Sequence, residues 1–125
     1  MLRPGGCVVT SEIDHETHLV DSPYPETSRK LFEAFGRSMP QGHLGRELPR
    51  LLAAARFRRV RLIPRIVQPP LDVWERAWAG FIPESIAKGI VSADEAARWF
   101  EALREADKAG TYVNCLTVFT VYGQK

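Results

Sequence analysis

The closing stretch of the chain, Tyr112 to Tyr122, is rich in Val, Thr, Phe and Tyr and carries no charged side chain, the next one being Lys125. β-branched and aromatic residues favour extended backbone. Apolar character on both alternating sets of positions predicts a strand buried on both faces, which belongs in the centre of a sheet. Neighbouring strands must therefore come from earlier in the chain. Cys7 to Ile13 is an apolar, β-branched run that follows the turn Pro4-Gly5-Gly6, and it is predicted to be one of them. Phe57 to Val67 alternates well enough to be the other, but Pro64 cannot donate a ladder hydrogen bond, which puts this strand at an edge.

The segments between these strands read as helices. Asp14 to Ser22 is polar and is predicted to be a loop, with Asp21 or Ser22 capping a helix from about Tyr24 to Ser38 that carries Leu31, Phe32 and Phe35 on one face. Pro40-Gln41-Gly42 ends it, and Leu48, Leu51, Leu52 and Ala55 mark a shorter helix over 46–55. Leu71 to Lys88 carries an apolar stripe of Val73, Trp74, Ala77, Trp78, Phe81 and Ile82, interrupted or kinked at Pro83. Ser92-Ala93-Asp94-Glu95 fits a capping box, and the helix it opens runs to Ala109 before Gly110. Trp99 and Phe100 cannot share a side of that helix, so one packs and the other is part-exposed.

The order of elements describes an α/β protein. At 125 residues, with 45% hydrophobic and 26% charged content, residues 1–125 form one folded domain. The same length is too short for a complete doubly wound nucleotide-binding enzyme. A net charge of +2 is too balanced for a nucleic-acid partner, and Arg56, Arg58, Arg59 and Arg61, alternating with apolar residues, read as the solvated face of a strand. Cys7 and Cys115 lie far apart among apolar neighbours and read as buried, reduced thiols, with no metal site. With no signal peptide and no apolar run near the roughly 18 residues of a membrane span, the chain is expected to be cytoplasmic.

Three segments in register resemble one family. Leu2-Arg3-Pro4-Gly5-Gly6 followed by Cys7-Val8-Val9-Thr10-Ser11-Glu12 is similar to the turn and fifth strand of class I S-adenosylmethionine-dependent methyltransferases. Gly45 to Leu52 and then Phe57-Arg58-Arg59-Val60 resemble the family's helix, Ala-Gly-Phe turn and sixth strand, with Arg56 where glycine is usual. Leu116 to Lys125 resembles the terminal seventh strand and its tail, and the whole is nearest the ubiquinone- and menaquinone-biosynthesis-like small-molecule enzymes. The resemblance implies a partial Rossmann-like sheet, with strands equivalent to 5, 7 and 6 and the last one antiparallel and central.

The same resemblance implies S-adenosylmethionine as cofactor and methyl transfer to a small organic acceptor. The family's glycine-rich loop and ribose-binding acidic residue belong to the half that would precede Met1, so no cofactor-binding residue carries over. Gly42-His43-Leu44-Gly45 follows a helix rather than a strand and does not replace that loop. The isolated chain is then expected to be inactive without an N-terminal half. It would dock that half, or a second copy of itself, along the open edge of the strand at 7–13. The alternative is a non-catalytic dimerisation or ligand-binding module derived from the same fold, and a third reading is a start misplaced at Met1.

Asp14-His15-Glu16-Thr17-His18 concentrates titratable groups, but its two histidines are three apart in a predicted loop, unlike the helical zinc motif. Ligands of open α/β sheets bind beyond the C-terminal ends of strands. Glu12, Asp14 and His15 therefore fall at the mouth of the acceptor site, with His15 the candidate base. Trp74, Trp78 and Phe81 lie on one helical face and read either as core or as a lid over a flat apolar acceptor. Asn114 reads as a structural hydrogen-bonding residue.

Overall fold

The structure, a computed structural model, describes residues 3–125, so Met1 and the Leu2 of the first resembling segment lie outside the described residues. Three strands form the sheet: β1 (Cys7–Val20), β2 (Arg58–Val67) and β3 (Asn114–Gln124), in the order β1-β3-β2. β3 is antiparallel to both neighbours, so the outer strands run parallel to each other. The uncharged terminal run is therefore central, as its two-sided apolar character predicts, and the Pro64 strand is at an edge.

Among the described residues, five helices connect the strands: α1 (Pro25–Ser38), α2 (Leu44–Ala54), α3 (Leu71–Trp78), α4 (Phe81–Ala87) and α5 (Ala93–Lys108). The expected capping box opens α5, with Ser92 Oγ accepting from Glu95 N–H and the Glu95 carboxylate accepting from Ser92 N–H. Gly110 follows its end in the left-handed conformation that only glycine adopts without cost. α1 differs from expectation. Its N-cap is Tyr24, which gives no side-chain cap, while Ser22 Oγ accepts from Tyr24 N–H and Pro25 sets the first turn. The apolar stripe from Leu71 breaks at Ala79–Gly80, and Pro83 sits in the first turn of α4, where its missing N–H costs nothing.

The largest departure is β1, which continues through the polar stretch expected to be a loop. Asp14 pairs with Thr117 and Leu19 with Cys115, so five residues of β1 advance against two of β3. Within this bulge Thr17 Oγ1 donates to Asp14 C=O and accepts from Thr117 N–H, standing in for the lost ladder bonds. The three extra residues reverse the alternation. His15 and His18 consequently share one side of the sheet, His15 against Phe35 and His18 against Phe32.

The helices cover the sheet diagonally. α2 lies on one face at the Val121 end, where a Cβ on Gly45 would come within 2.9 Å of Phe119 and 3.1 Å of Glu12 C=O. α1 and α3 to α5 cover the opposite face at the Leu116 end, in a core of Leu31, Phe35, Trp74, Trp78, Trp99 and Leu103. Trp99 is fully buried and Phe100 part-exposed, the arrangement expected of adjacent helical positions. Cys7 is exposed rather than buried, since it lies on the open face with Sγ 2.9 Å from Tyr122 Oη, and Cys115 is half-buried. Among the described residues, no helix is long and apolar enough to cross a membrane.

Candidate functional site

The β1 bulge, the middle of α1 and the turn at 40–43 enclose a cleft of about 580 Å³, within the range that holds small ligands. His15, His18 and Phe32 supply its ring surfaces, and Glu16, Glu33 and Arg37 its charges. Those charges are already matched. Glu33 accepts from Arg29 at 3.0 Å and from Arg37 at 3.1 Å. Glu16 lies 3.1 Å from Arg46 and 3.4 Å from His43 Nε2. A balanced cleft with aromatic walls suits an uncharged organic molecule better than an anion or a cation.

Both histidines are held in the neutral form. Burial lowers the His15 pKa below its ordinary value against the pull of Asp14 and Glu12. Its Nδ1 is enclosed without a partner among the described residues, and the ring lines the cleft. Burial, reinforced by His15, pushes His18 down to about 4, with Asn114 opposing. His18 stacks on Phe32 at 4.4 Å between centroids and meets the edge of Trp74 at 4.3 Å.

Behind the histidines lies a group of polar atoms that make no hydrogen bond. Both ring nitrogens of His18, both amide atoms of Asn114, Tyr112 Oη and the indole N–H groups of Trp74 and Trp78 are buried and unpartnered. Asn114 is 0% exposed. Burial also raises the Tyr112 pKa, so its phenol stays protonated. An unpaired buried amide costs roughly 1–3 kcal/mol. Asn114, expected to be a hydrogen-bonding structural residue, lies beside the side chains of His18 and Tyr112.

The other residues singled out in the sequence fall in different places. Asp14 is 0% exposed. Its Oδ2 accepts from Arg46 Nε and its Oδ1 accepts from Arg46 Nη2 at 2.7 Å and from Glu16 N–H at 3.1 Å. This carboxylate is thus committed to anchoring α2 on β1. Glu12 is exposed on the α2 side of the sheet, with its backbone beneath Gly45. Trp74 and Trp78 are buried in the core beneath His18. Phe81 packs on Phe35 and Trp78 and lines a separate groove of about 360 Å³ between α1 and α4. His18 and Arg46 were not chosen from the sequence. The pattern signals neither, because the bulge that turns His18 inward and the partner of Asp14 are both tertiary features.

Gly42 and Gly45 serve close packing, since a Cβ at Gly42 would lie 2.8 Å from Gly36 C=O and one at Gly45 would meet Phe119. Among the described residues, no group of three or more His, Cys, Asp or Glu side chains is placed to hold a metal. In comparisons with known proteins, the chain matches no family model and no curated protein.

Proposed function

We propose that this chain is the C-terminal, acceptor-side part of a class I S-adenosylmethionine-dependent methyltransferase for a small organic molecule, with the cofactor residues supplied by another half. The observation that carries this reading is the sheet: outer strands parallel, the last strand antiparallel between them, in the order β1-β3-β2. Two backbone details support it. Arg56 has φ of 62°, a left-handed conformation at the turn where the resembled family has glycine, and Gly5 has φ of 81° in the Pro-Gly-Gly turn.

In this reading the chain's own residues bind an uncharged acceptor in the cleft and take its proton. His15, neutral and lining the cleft, is the proton acceptor. The aromatic walls of Phe32 and His18 hold a flat ring and exclude water around it. The other half would join along β1, which occupies one edge of the sheet and, among the described residues, pairs with β3 alone.

Reading the coding DNA upstream of the Met1 codon tests the proposal. An in-frame glycine-rich strand-loop-helix is the expected result. A stop codon there, with no separately encoded half able to bind the chain, would favour a ligand-binding or dimerisation module derived from the fold, a reading to which the uncovered sheet face lends support.

A further inference from the structure

β2 is exposed along almost its whole length, and it is unusually basic for a strand that also carries Leu62, Ile63, Ile66 and Val67. Arg56, Arg58, Arg59, Arg61 and Arg65 make no ion pair among the described residues, although Arg29, Arg37, Arg46, Arg76 and Arg104 on the helices all hold carboxylates. The arginines are gathered by a bulge. Arg58 is opposite Gln124 and Arg61 opposite Tyr122, so three residues of β2 span two of β3 and both arginines point to the same face. Arg59, inside the bulge, has φ of 49°, a strained conformation for a residue with a side chain.

That face is the one α2 does not cover. The register aligns Val9, Tyr122 and Arg61 in one row, Ser11, Thr120 and Ile63 in the next, and Ile13, Val118 and Arg65 in a third. Side chains in such rows share a face. A depression of about 450 Å³ opens there, floored by Val9, Ile63, Thr120 and Tyr122 and bordered by Arg59 and Arg61. Val9 is 65% and Ile63 48% exposed.

We infer that this face docks an acidic amphipathic helix of a partner protein. Three strands about 4.8 Å apart present a surface roughly 10 Å wide, the diameter of a single helix. The row from Val9 to Ile13 runs for roughly 13 Å and that from Arg58 to Arg65 for roughly 20 Å, which matches about three helical turns. A stripe of Leu or Ile fills the depression, and Glu or Asp on the flanks meets Arg59, Arg61 and Arg65. A second copy is excluded from this face by charge, since stacking the same surface on itself sets arginines against arginines. A nucleic acid pairs with the arginines but leaves Val9, Ile13 and Ile63 without an apolar partner. A flat lipid surface leaves the depression unfilled. The inference is independent of the methyltransferase reading, because it uses none of the cleft residues.

Fluorescence anisotropy on the full chain tests it. The probe is a synthetic 18-residue helix with Leu at i, i+3, i+4 and i+7 and Glu on both flanks. Saturable binding is expected, weakened about tenfold or more by Arg61→Glu and by Arg59→Glu, with circular dichroism unchanged at these exposed sites. The same helix with Lys for Glu should bind Arg59→Glu/Arg61→Glu better than the natural chain. The inference is overturned if the acidic helix does not bind or binds Arg61→Glu equally well. It is also overturned if duplex DNA or phosphatidylserine vesicles bind with that sensitivity while the helix does not, or if sedimentation shows a dimer that Arg61→Glu dissolves.

Discussion

At the Leu116 end of the sheet, Trp74, Trp78, Trp99, Phe32 and Phe35 pack ring against ring; the Trp99 indole N–H donates to Ser28 Oγ, while those of Trp74 and Trp78 are enclosed without a partner among the described residues. At the Tyr122 end, Val9 and Ile63 stand in solvent beside arginines without carboxylates. One end has its apolar groups satisfied and some of its polar groups waiting; the other has both kinds of group waiting. Buried polar atoms without partners suit a small molecule with hydrogen-bonding groups, whereas exposed apolar rows suit a macromolecule.

Stability measurements sharpen this contrast. Trp78→Ala should cost about 4 kcal/mol, because Trp78 is fully buried between Trp74 and Trp99, whereas Ile63→Ala on the open face should cost under about 0.5 kcal/mol. Urea unfolding compares the two directly, and equal costs would erase the distinction. Arg46→Ala should cost roughly 3 kcal/mol at neutral pH, since it leaves the buried Asp14 carboxylate with Glu16 N–H alone. Asp14→Asn combined with Arg46→Ala should recover part of that loss.

The covered end should also make the fold acid-sensitive. His18 has a pKa of about 4 in the folded chain against 6.5 as its ordinary value, so the unfolded chain binds its proton first. Its contribution to stability is complete above pH 6.5 and is lost as pH falls from 6.5 towards 4, by about 2–3 kcal/mol. The groups facing it are His15, Asn114, Phe32, Trp74 and Trp78, of which only His15 is also an ionisable group, its pKa likewise lowered by burial. Denaturation midpoints across this pH range should flatten in His18→Phe, and an unchanged slope would mean that His18 is not the sensor. The smallest effect belongs to the open face. Arg59→Gly relieves the positive φ of Arg59 and should stabilise the chain by up to about 1 kcal/mol.

The central strand, the Pro64 edge strand and the capped α5 were legible because each rests on local chemistry: two-sided apolarity, a missing N–H, a side-chain cap. β1 beyond Ile13 was not. Its Asp, His, Glu and Thr residues read as a loop, and they become strand through Thr17 bridging the bulge and Arg46 reaching from α2 to Asp14. The candidate site was legible in part for the same reason. His15 was visible as a titratable group near a strand end, but His18 was hidden until the bulge reversed the alternation, and Trp74 and Trp78 turned out to form the floor beneath it. The arginines of β2 read as a solvated face, and only the pairing register gathers them with Val9 and Ile13.

The most direct measurement is calorimetric titration of S-adenosylmethionine into the purified chain, alone and then mixed with the polypeptide encoded upstream. No saturable heat is expected from the chain alone, with binding only in the mixture. Stoichiometric binding to the chain alone would contradict this, because Gly42 and Gly45 would then have to do more than pack against Gly36 and Phe119.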